Sequence, residues 1–372
     1  MPGPLSPYQA LDTPVLLIDR DILMRNIADM QQRADSFGVW LRPHTKTHKC
    51  PDIARMQLAA GASGIAVAKP GEAEVMAEAG ISDIFIANEV VGLQKLERLR
   101  ALGERVDLSF GADSLEALLQ IEKVFSRSSR PARVLIEIET GERRSGVVEP
   151  AQFDALIDFL EKAQHIIFEG VFSHEGFTYQ AASRQECLAQ FEASQQRTLD
   201  FARRAAARGL PCRTVSVGAT PTAWLAQRLL PGVTELRPGT YALMDAAQGN
   251  ALGSHERCAA TVLTTIISKP TPERLIGDVG AKGLTAQTRP AGICKTNGFG
   301  IVKGTDVHPY AVYDEHLILY SAELHDALQI GDKIEIIPNH ICPVCNLYDQ
   351  VLLVADGKVL QTLSIACRGR LQ

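Results

Sequence analysis

Eight short apolar runs, with amphipathic stretches between them, constrain this chain more than any other feature it has. The runs cover residues 39–46, 64–69, 83–88, 106–112, 133–140, 166–174, 214–220 and 235–245. Between them, residues 71–79, 93–102, 114–126, 150–163, 184–208 and 222–230 carry apolar side chains at helical spacing. Parallel strands can be joined only by long crossovers, and those are usually helices. Eight strands alternating with helices therefore predict an α/β fold, a (β/α)8 TIM-type barrel.

The texture changes on either side of this repeat. Residues 13–18 form a strand-like run ahead of a helical pattern carrying Ile22, Leu23, Ile27 and Met30, with Asp19 or Asp21 as its N-cap. After Asp245 come seven short runs, at 258–268, 275–278, 311–313, 316–321, 333–338, 352–355 and 359–364, broken by Gly, Pro and Asp. Asp356-Gly357 between two of them is a hairpin signal. The expected organisation is a barrel over residues 20–250 and a C-terminal all-β domain over 251–372, which residues 1–19 join. The 372 residues suffice for both.

Composition narrows the partners. A net charge of −5 without a basic block argues against nucleic acid. No apolar run reaches spanning length, which argues against a membrane, and Met1-Pro2-Gly3-Pro4 lacks the charged and apolar regions of a signal peptide. The expectation is a cytoplasmic protein whose eight cysteines are reduced thiols.

In such a barrel, chemistry gathers in the loops after the strands. Lys46, Lys69, Asn88, Arg144, His174, residues 218–222 and residues 237–241 fall there. A lysine desolvated in a pocket becomes a nucleophile toward carbonyls, whereas Lys46 and Lys49 as ordinary loop lysines would be solvated. The small-residue stretch Ser216-Val217-Gly218-Ala219-Thr220-Pro221-Thr222 can bring N–H groups and hydroxyls against a phosphate; the alternative is a plain turn capped by Thr220. Lysine and phosphate cradle together suggest pyridoxal phosphate.

A second constellation is Pro338-Asn339-His340-Ile341-Cys342-Pro343-Val344-Cys345. In an extended segment His340 and Cys342 project from one face, and imidazole plus thiolate suits zinc with open positions left over. A Cys342–Cys345 redox pair would need a helix start, and a structural zinc site would need two further ligands. His316 could be a site residue or a strand-start residue. Cys50, Cys187, Cys212, Cys258, Cys294 and Cys367 read as packing residues, and His165, His255, His308 and His325 as surface.

Six motifs in order now carry a resemblance. They are Arg42-Pro43-His44-Thr45-Lys46, Glu142-Arg143-Arg144-Ser145-Gly146-Val147, Ser173-His174-Glu175-Gly176-Phe177-Thr178-Tyr179, Val217-Gly218-Ala219-Thr220-Pro221-Thr222, Arg237-Pro238-Gly239-Thr240-Tyr241 and Pro338-Asn339-His340-Ile341-Cys342. From about Leu11 to Arg370 the chain resembles the D-threonine aldolase and D-serine dehydratase family, alanine-racemase-like fold-type III enzymes. The resemblance implies that Lys46 holds pyridoxal 5'-phosphate as an imine. Gly218, Ala219, Thr220, Gly239, Thr240 and Tyr241 would bind the phosphate, and Arg144, His174, Tyr179 and Arg237 would line the ring. His340 and Cys342 would hold a divalent metal, zinc ahead of manganese or magnesium, against the β-hydroxyl of a D-amino acid substrate. A homodimer is implied as well.

The segment from His44 to Pro51 and Ala87-Asn88-Glu89-Val90-Val91-Gly92 resemble the aldolases. Cys342, His174 and the Thr-Pro-Thr loop resemble the dehydratases. Elimination of water to a 2-oxo acid and ammonia is the expected reaction, with retro-aldol cleavage to glycine and an aldehyde as the alternative. A metal-independent racemase would need a second base, for which Tyr310, Tyr313 or Tyr320 is available. A non-enzymatic cofactor carrier would have no use for the β domain.

Overall fold

The computed structural model describes residues 5–372; Met1 to Pro4, read above as lacking a leader, lie outside the described residues. The chain forms two compact units. One comprises Asp29–Lys46, Ile53–Gly239 and Gly369–Gln372; the other comprises the residues through Ala28, then Thr47–Asp52 and Thr240–Arg368. Neither is a single stretch of chain, because the path passes between them several times.

The first unit holds the eight expected strands, all parallel. They are Trp40–Leu41, Ile65–Val67, Asp83–Glu89, Asp107–Ala112, Ala132–Glu137, Ile166–Phe172, Thr214–Val217 and Glu235–Leu236. From Ile65–Val67 onward each pairs with the next in sequence, and the last returns to the first through Trp40 opposite Glu235. A bridge between His44 and Ala66 closes the ring, with Thr45 N donating to Ala66 O and Ala66 N to Pro43 O, both at 2.8 Å.

Two runs are much shorter as strands than the sequence suggests. The first stops at Leu41, so Lys46 lies in a turn beyond the strand and does not close it. The last stops at Leu236, because Pro238 has no N–H for a ladder and the chain turns through the 3-10 segment Thr240–Ala242. Helices fill the crossovers. Those at Pro51–Ala59, Pro70–Glu78 and Pro150–Leu160 start on proline, whose missing N–H costs nothing in a first turn. The long helix Arg184–Ala207 is capped by Ser183, which accepts from Glu186 N at 3.1 Å.

Inside the barrel, Ala66, Phe85, Leu135 and Phe172 form an apolar layer, with the two rings edge to face at 5.1 Å. A Cβ at Gly170 would lie 1.9 Å from Thr214 O, so only glycine lets those strands pair. At the end where the strands begin sits a closed set of ion pairs. Arg42 donates to Glu235 (2.7 Å) and to Asp83 (2.6 Å), and Ser216 Oγ donates to the other Glu235 oxygen at 2.7 Å. Arg133 donates to Glu169 at 2.6 Å and also pairs with Asp107.

The second unit is a nine-stranded, mostly antiparallel sheet. Val15–Asp19 lies within it, antiparallel to Ala260–Thr271 and parallel to Gln350–Ala355. All seven runs expected after Asp245 are strands; Ile301–Val302 is an eighth, too short to stand out as a run. Short helices interrupt them, among them Ala246–Leu252, Ala322–Ala327 and Ile341–Cys345. Tyr8, Leu17, Leu263 and Val354 form one core cluster. Asp356 and Gly357 have φ of 48° and 73°, the two left-handed positions of a type I′ hairpin. Among the described residues no helix is long and apolar enough to cross a membrane.

Candidate active site

In the barrel unit, the backbone before Lys46 is pinned twice, since Thr45 also donates its hydroxyl to Ala66 O at 3.0 Å. Lys46 itself is half-buried. His44 is buried and its Nδ1 has no hydrogen-bond partner. Burial holds His44 well below the ordinary histidine range, and the charges of Lys46 and Arg237 add to this. His174, half-buried, is held down in the same way, by burial first and then by Lys46, Arg144 and Arg237. Two neutral imidazoles thus share one neighbourhood with three cations, an arrangement that keeps further positive charge out.

Arg237 is buried and immobilised. It donates to Ser216 Oγ at 2.6 Å and to Ser173 O at 2.7 Å. Its guanidinium also lies over the rings of Phe172 (5.3 Å) and Phe85 (5.9 Å). Stacking of a desolvated guanidinium on a ring is worth about 2 kcal/mol, which offsets part of the burial cost. Tyr179, in the 3-10 turn Gly176–Gln180, stands edge-on to His174 at 6.5 Å. A Cβ at Gly176 would lie 2.9 Å from His174 Nε2, so this position favours glycine.

The loop expected to cradle phosphate is braced from behind by Glu175, a fully buried carboxyl that the sequence reading passed over. It accepts from Thr222 Oγ1 at 2.7 Å and from Gly218 N at 3.3 Å. Ala219 N donates to Thr222 Oγ1 at 3.0 Å. Burial raises the Glu175 carboxyl above the usual range, and these bonds pull it partly back. The N–H group of Gly218 is therefore spent on Glu175 and that of Ala219 on the loop itself.

A second buried acid, Glu137, orients the loop that carries Arg144. It accepts from Ser145 Oγ at 2.9 Å and from Arg144 at 3.4 Å. Beside it Glu89, at the end of its strand, is pushed up to about 9, first by burial and then by Glu137, with Asp113 adding. Glu89 Oε1 is buried without a partner. Neither acid had a sequence signal beyond its place at a strand end. Lys69 and Asn88 serve turns: Lys69 N donates to Glu72 at 3.1 Å, and Asn88 Nδ2 donates to Ala68 O at 3.1 Å.

In the β-sheet unit, His340 and Cys342 are not on an extended segment. His340 is an extended N-cap with φ −145°, and Cys342 is the second residue of the helix Ile341–Cys345. The helix forms because Asp245 accepts from Ile341 N at 3.1 Å while also capping Ala246–Leu252 through Gln248 N at 2.9 Å. Asp245 is fully buried, which pushes it up to about 6 against the pull of His340. Cys342 donates to Thr47 Oγ1 at 3.3 Å and lies 3.7 Å from Thr240 Oγ1. His340 Nδ1 is 2.8 Å from Gln287 Oε1.

Cys342 does stand at a helix start, contrary to the sequence reading. Cys345 is nevertheless buried, and burial raises its thiol well above the usual range, so a redox pair gains nothing. Tyr241 is fully buried and Thr240 nearly so. Lys49, in a left-handed turn, is buried, which rules out an ordinary solvated lysine there. His316 is exposed in a tight turn. The four histidines read as surface are half-buried, and His255 bonds Asn250 Oδ1 at 2.9 Å. Among the described residues, no three His, Cys, Asp or Glu side chains cluster as metal ligands, so the His340 and Cys342 pair would leave open positions.

Residues 18–247 match the alanine racemase N-terminal domain, and residues 259–354 match the serine dehydratase domain. A D-threonine aldolase from Arthrobacter sp. is 33% identical over 371 residues, spanning 98% of this chain and 95% of that one. D-threo-3-hydroxyaspartate dehydratase from Delftia sp. is 34% identical over 94% of this chain and 96% of that one. A solved structure of a cysteine-to-alanine mutant of D-threo-3-hydroxyaspartate dehydratase, in the metal-free form, superposes with a TM-score of 0.89. Its identity is 32%, over 96% of this chain and 98% of that one.

Proposed function

Because the chain belongs to the family of the alanine racemase N-terminal domain, followed in sequence by a serine dehydratase domain, we propose that it eliminates water from a D-amino acid bearing a β-hydroxyl. That it is a lyase of D-hydroxy amino acids follows from full-length similarity to both an aldolase and a dehydratase of that substrate class. Elimination over carbon–carbon cleavage is our reading. It is carried by Cys342 two residues after His340, a thiol and an imidazole at one helix start, in a chain similar to a dehydratase of which a cysteine-to-alanine mutant has been solved in the metal-free form.

The residues fit pyridoxal phosphate. Lys46 is half-buried on a pinned turn, and the buried Nδ1 of His44 lacks a partner. Lys46 would hold the cofactor, and Arg144, His174, Tyr179 and Arg237 would line its ring. Gly218, Ala219, Thr220, Gly239, Thr240 and Tyr241 would receive the phosphate. Since the N–H groups of Gly218 and Ala219 are engaged, these two would shape the loop while Thr220 donates. When bound, the cofactor supplies an electron sink for the substrate's α-carbon. The donor set of His340 and Cys342 suits zinc ahead of manganese or magnesium, and such an ion supplies Lewis acidity toward departure of the hydroxyl. Lys46 takes the α-proton, while neutral His44 and His174 accept hydrogen bonds without adding charge.

Incubation with D-serine, D-threonine and D-3-hydroxyaspartate tests the reading. A 2-oxo acid and ammonia are expected; glycine and an aldehyde would replace elimination by cleavage. Cleavage is the second reading, supported by the D-threonine aldolase similarity. Chelation should abolish turnover and zinc restore it, whereas a racemase using exposed Tyr310 or Tyr313 would be indifferent. Lys46→Ala should lose the lysine-bound cofactor's absorbance near roughly 420 nm. We further propose a cytoplasmic homodimer, to be checked by sedimentation.

A further inference from the structure

We propose that Glu89 is a positioning residue for Arg144: it bonds Glu137 as a carboxyl to a carboxylate, and that bond holds Glu137 in the orientation that grips the Arg144 loop. The proposal rests on the reading of Arg144 as a residue lining the cofactor and adds to it the group that sets its place. Strand register brings the two acids together. Glu89 stands opposite Gly111 and Ala112 opposite Ile136, so Glu89 and Glu137 close the two strands that flank Asp107–Ala112. Gly111 puts no side chain between them; a Cβ there would lie 2.7 Å from Asn88 O and 2.8 Å from the Phe172 ring. The two carboxyls meet beside it, hydrogen-bonded to one another. A carboxylate only accepts, so a bond between two carboxyls carries a hydrogen.

The charge of the pair belongs on Glu137, whose Oε1 lies 3.4 Å from Arg144 and whose Oε2 accepts from Ser145 Oγ at 2.9 Å. Buried Arg237 is a further cation drawn to it. Glu89 Oε1 is buried and meets no donor, the setting in which a carboxyl keeps its proton. Burial first, then Glu137 and Asp113, push Glu89 up to about 9, and the strand Ile65–Val67 on its other side brings no titratable group. The base of the loop is tied without Glu89. Glu139 accepts from Gly141 N at 2.6 Å and Arg143 N at 2.7 Å, Gly146 N donates to Asp113 at 3.1 Å, and Val147 bridges Ile138. Arg144 and Ser145 are the part that hangs on the Glu137 carboxyl. Ionisation of Glu89 would set two anions side by side and turn Glu137 away from that grip.

Glu89→Gln keeps a donor for Glu137 and cannot ionise; Glu89→Leu removes the donor. Infrared difference spectra of carbon-13 glutamate-labelled protein, wild type minus Glu89→Gln, read the proton directly. A protonated-carboxyl band that disappears as pH passes about 9 is expected. Dissociation of pyridoxal phosphate from the holoenzyme, followed on dilution at neutral pH, should be about 5-fold more favourable in Glu89→Leu, the loss of one net hydrogen bond. Glu89→Gln should restore the wild-type constant. Above about 9 the wild type should lose affinity relative to Glu89→Gln, a comparison from which any titration of Lys46 cancels. A wild type without the band would overturn the proposal. So would Glu89→Leu holding the cofactor like wild type at every pH while Arg144→Ala holds it weakly. Arg144→Ala retaining the cofactor as tightly as wild type would instead overturn the reading of Arg144, and the positioning role with it.

Discussion

The two ends of the barrel are built from the same eight strands and the same residue types, yet they solve opposite problems. Where the strands begin, Arg42, Asp83, Glu235 and Ser216 answer one another, as do Arg133, Asp107 and Glu169. Where they finish, buried polar atoms go unanswered: His44 Nδ1, Glu89 Oε1 and Thr140 Oγ1 have no partner. An unsatisfied buried group costs about 1–3 kcal/mol, a cost the first end avoids and the second accumulates. The difference teaches that the second end is organised for something other than its own stability. Groups there are kept in protonation states that water would not give them: histidines neutral beside cations, a glutamate protonated beside another acid.

The sharpest way to break this contrast is to remove one residue from each end. Lys46→Ala should cost on the order of a thousandfold or more in turnover while leaving the urea midpoint nearly unmoved. Arg42→Ala should do the reverse. It leaves Glu235 buried without its ion-pair partner, a loss of about 3 kcal/mol in denaturant unfolding, with the folded fraction still turning over. If Arg42→Ala abolished activity at full stability, the division of labour would be wrong.

Proton linkage sharpens the comparison further. Glu89, raised from 4.5 to about 9 in the folded chain, holds a proton that the unfolded chain releases. Its contribution is complete below about 4.5 and is lost as pH rises toward about 9, so stability should decline across that window; Glu89→Gln should flatten the decline. His44 and His174 act with the opposite sign. Held below 6.5 in the folded state, they contribute stability above that value which is lost as pH falls below it. A urea midpoint measured against pH in wild type and Glu89→Gln separates the two. The smallest effect is expected for Ser145→Ala, which frees one oxygen of Glu137 and loosens the loop of Arg144: about 1 kcal/mol, read as a several-fold rise in KM.

What the sequence made legible follows from the range of the physics involved. All eight barrel strands and the seven later runs announce themselves through local apolar patterning, and Asp356-Gly357 announces its turn through backbone conformation alone. Lys46 and Arg144 stand out because they sit in loops after strands. Strand ends were less legible: Trp40–Leu41 and Glu235–Leu236 stop where Pro43 and Pro238 interrupt pairing, while the apolar texture runs on. The helix under Cys342 was missed because the carboxylate that accepts its first N–H, Asp245, lies 96 residues earlier. Glu235 beside Arg42, Glu175 behind Gly218 and Gln287 at His340 are pairs made by the fold across long separations, and no periodicity reports them.

The repeated passage of the chain between its two units has an evolutionary corollary. Because each unit is assembled from several separate stretches, with the six residues after Lys46 assigned away from the barrel, no single recombination event between related genes could trade one unit intact. Chimeras designed by a single crossover should therefore leave at least one unit with stretches drawn from both parents.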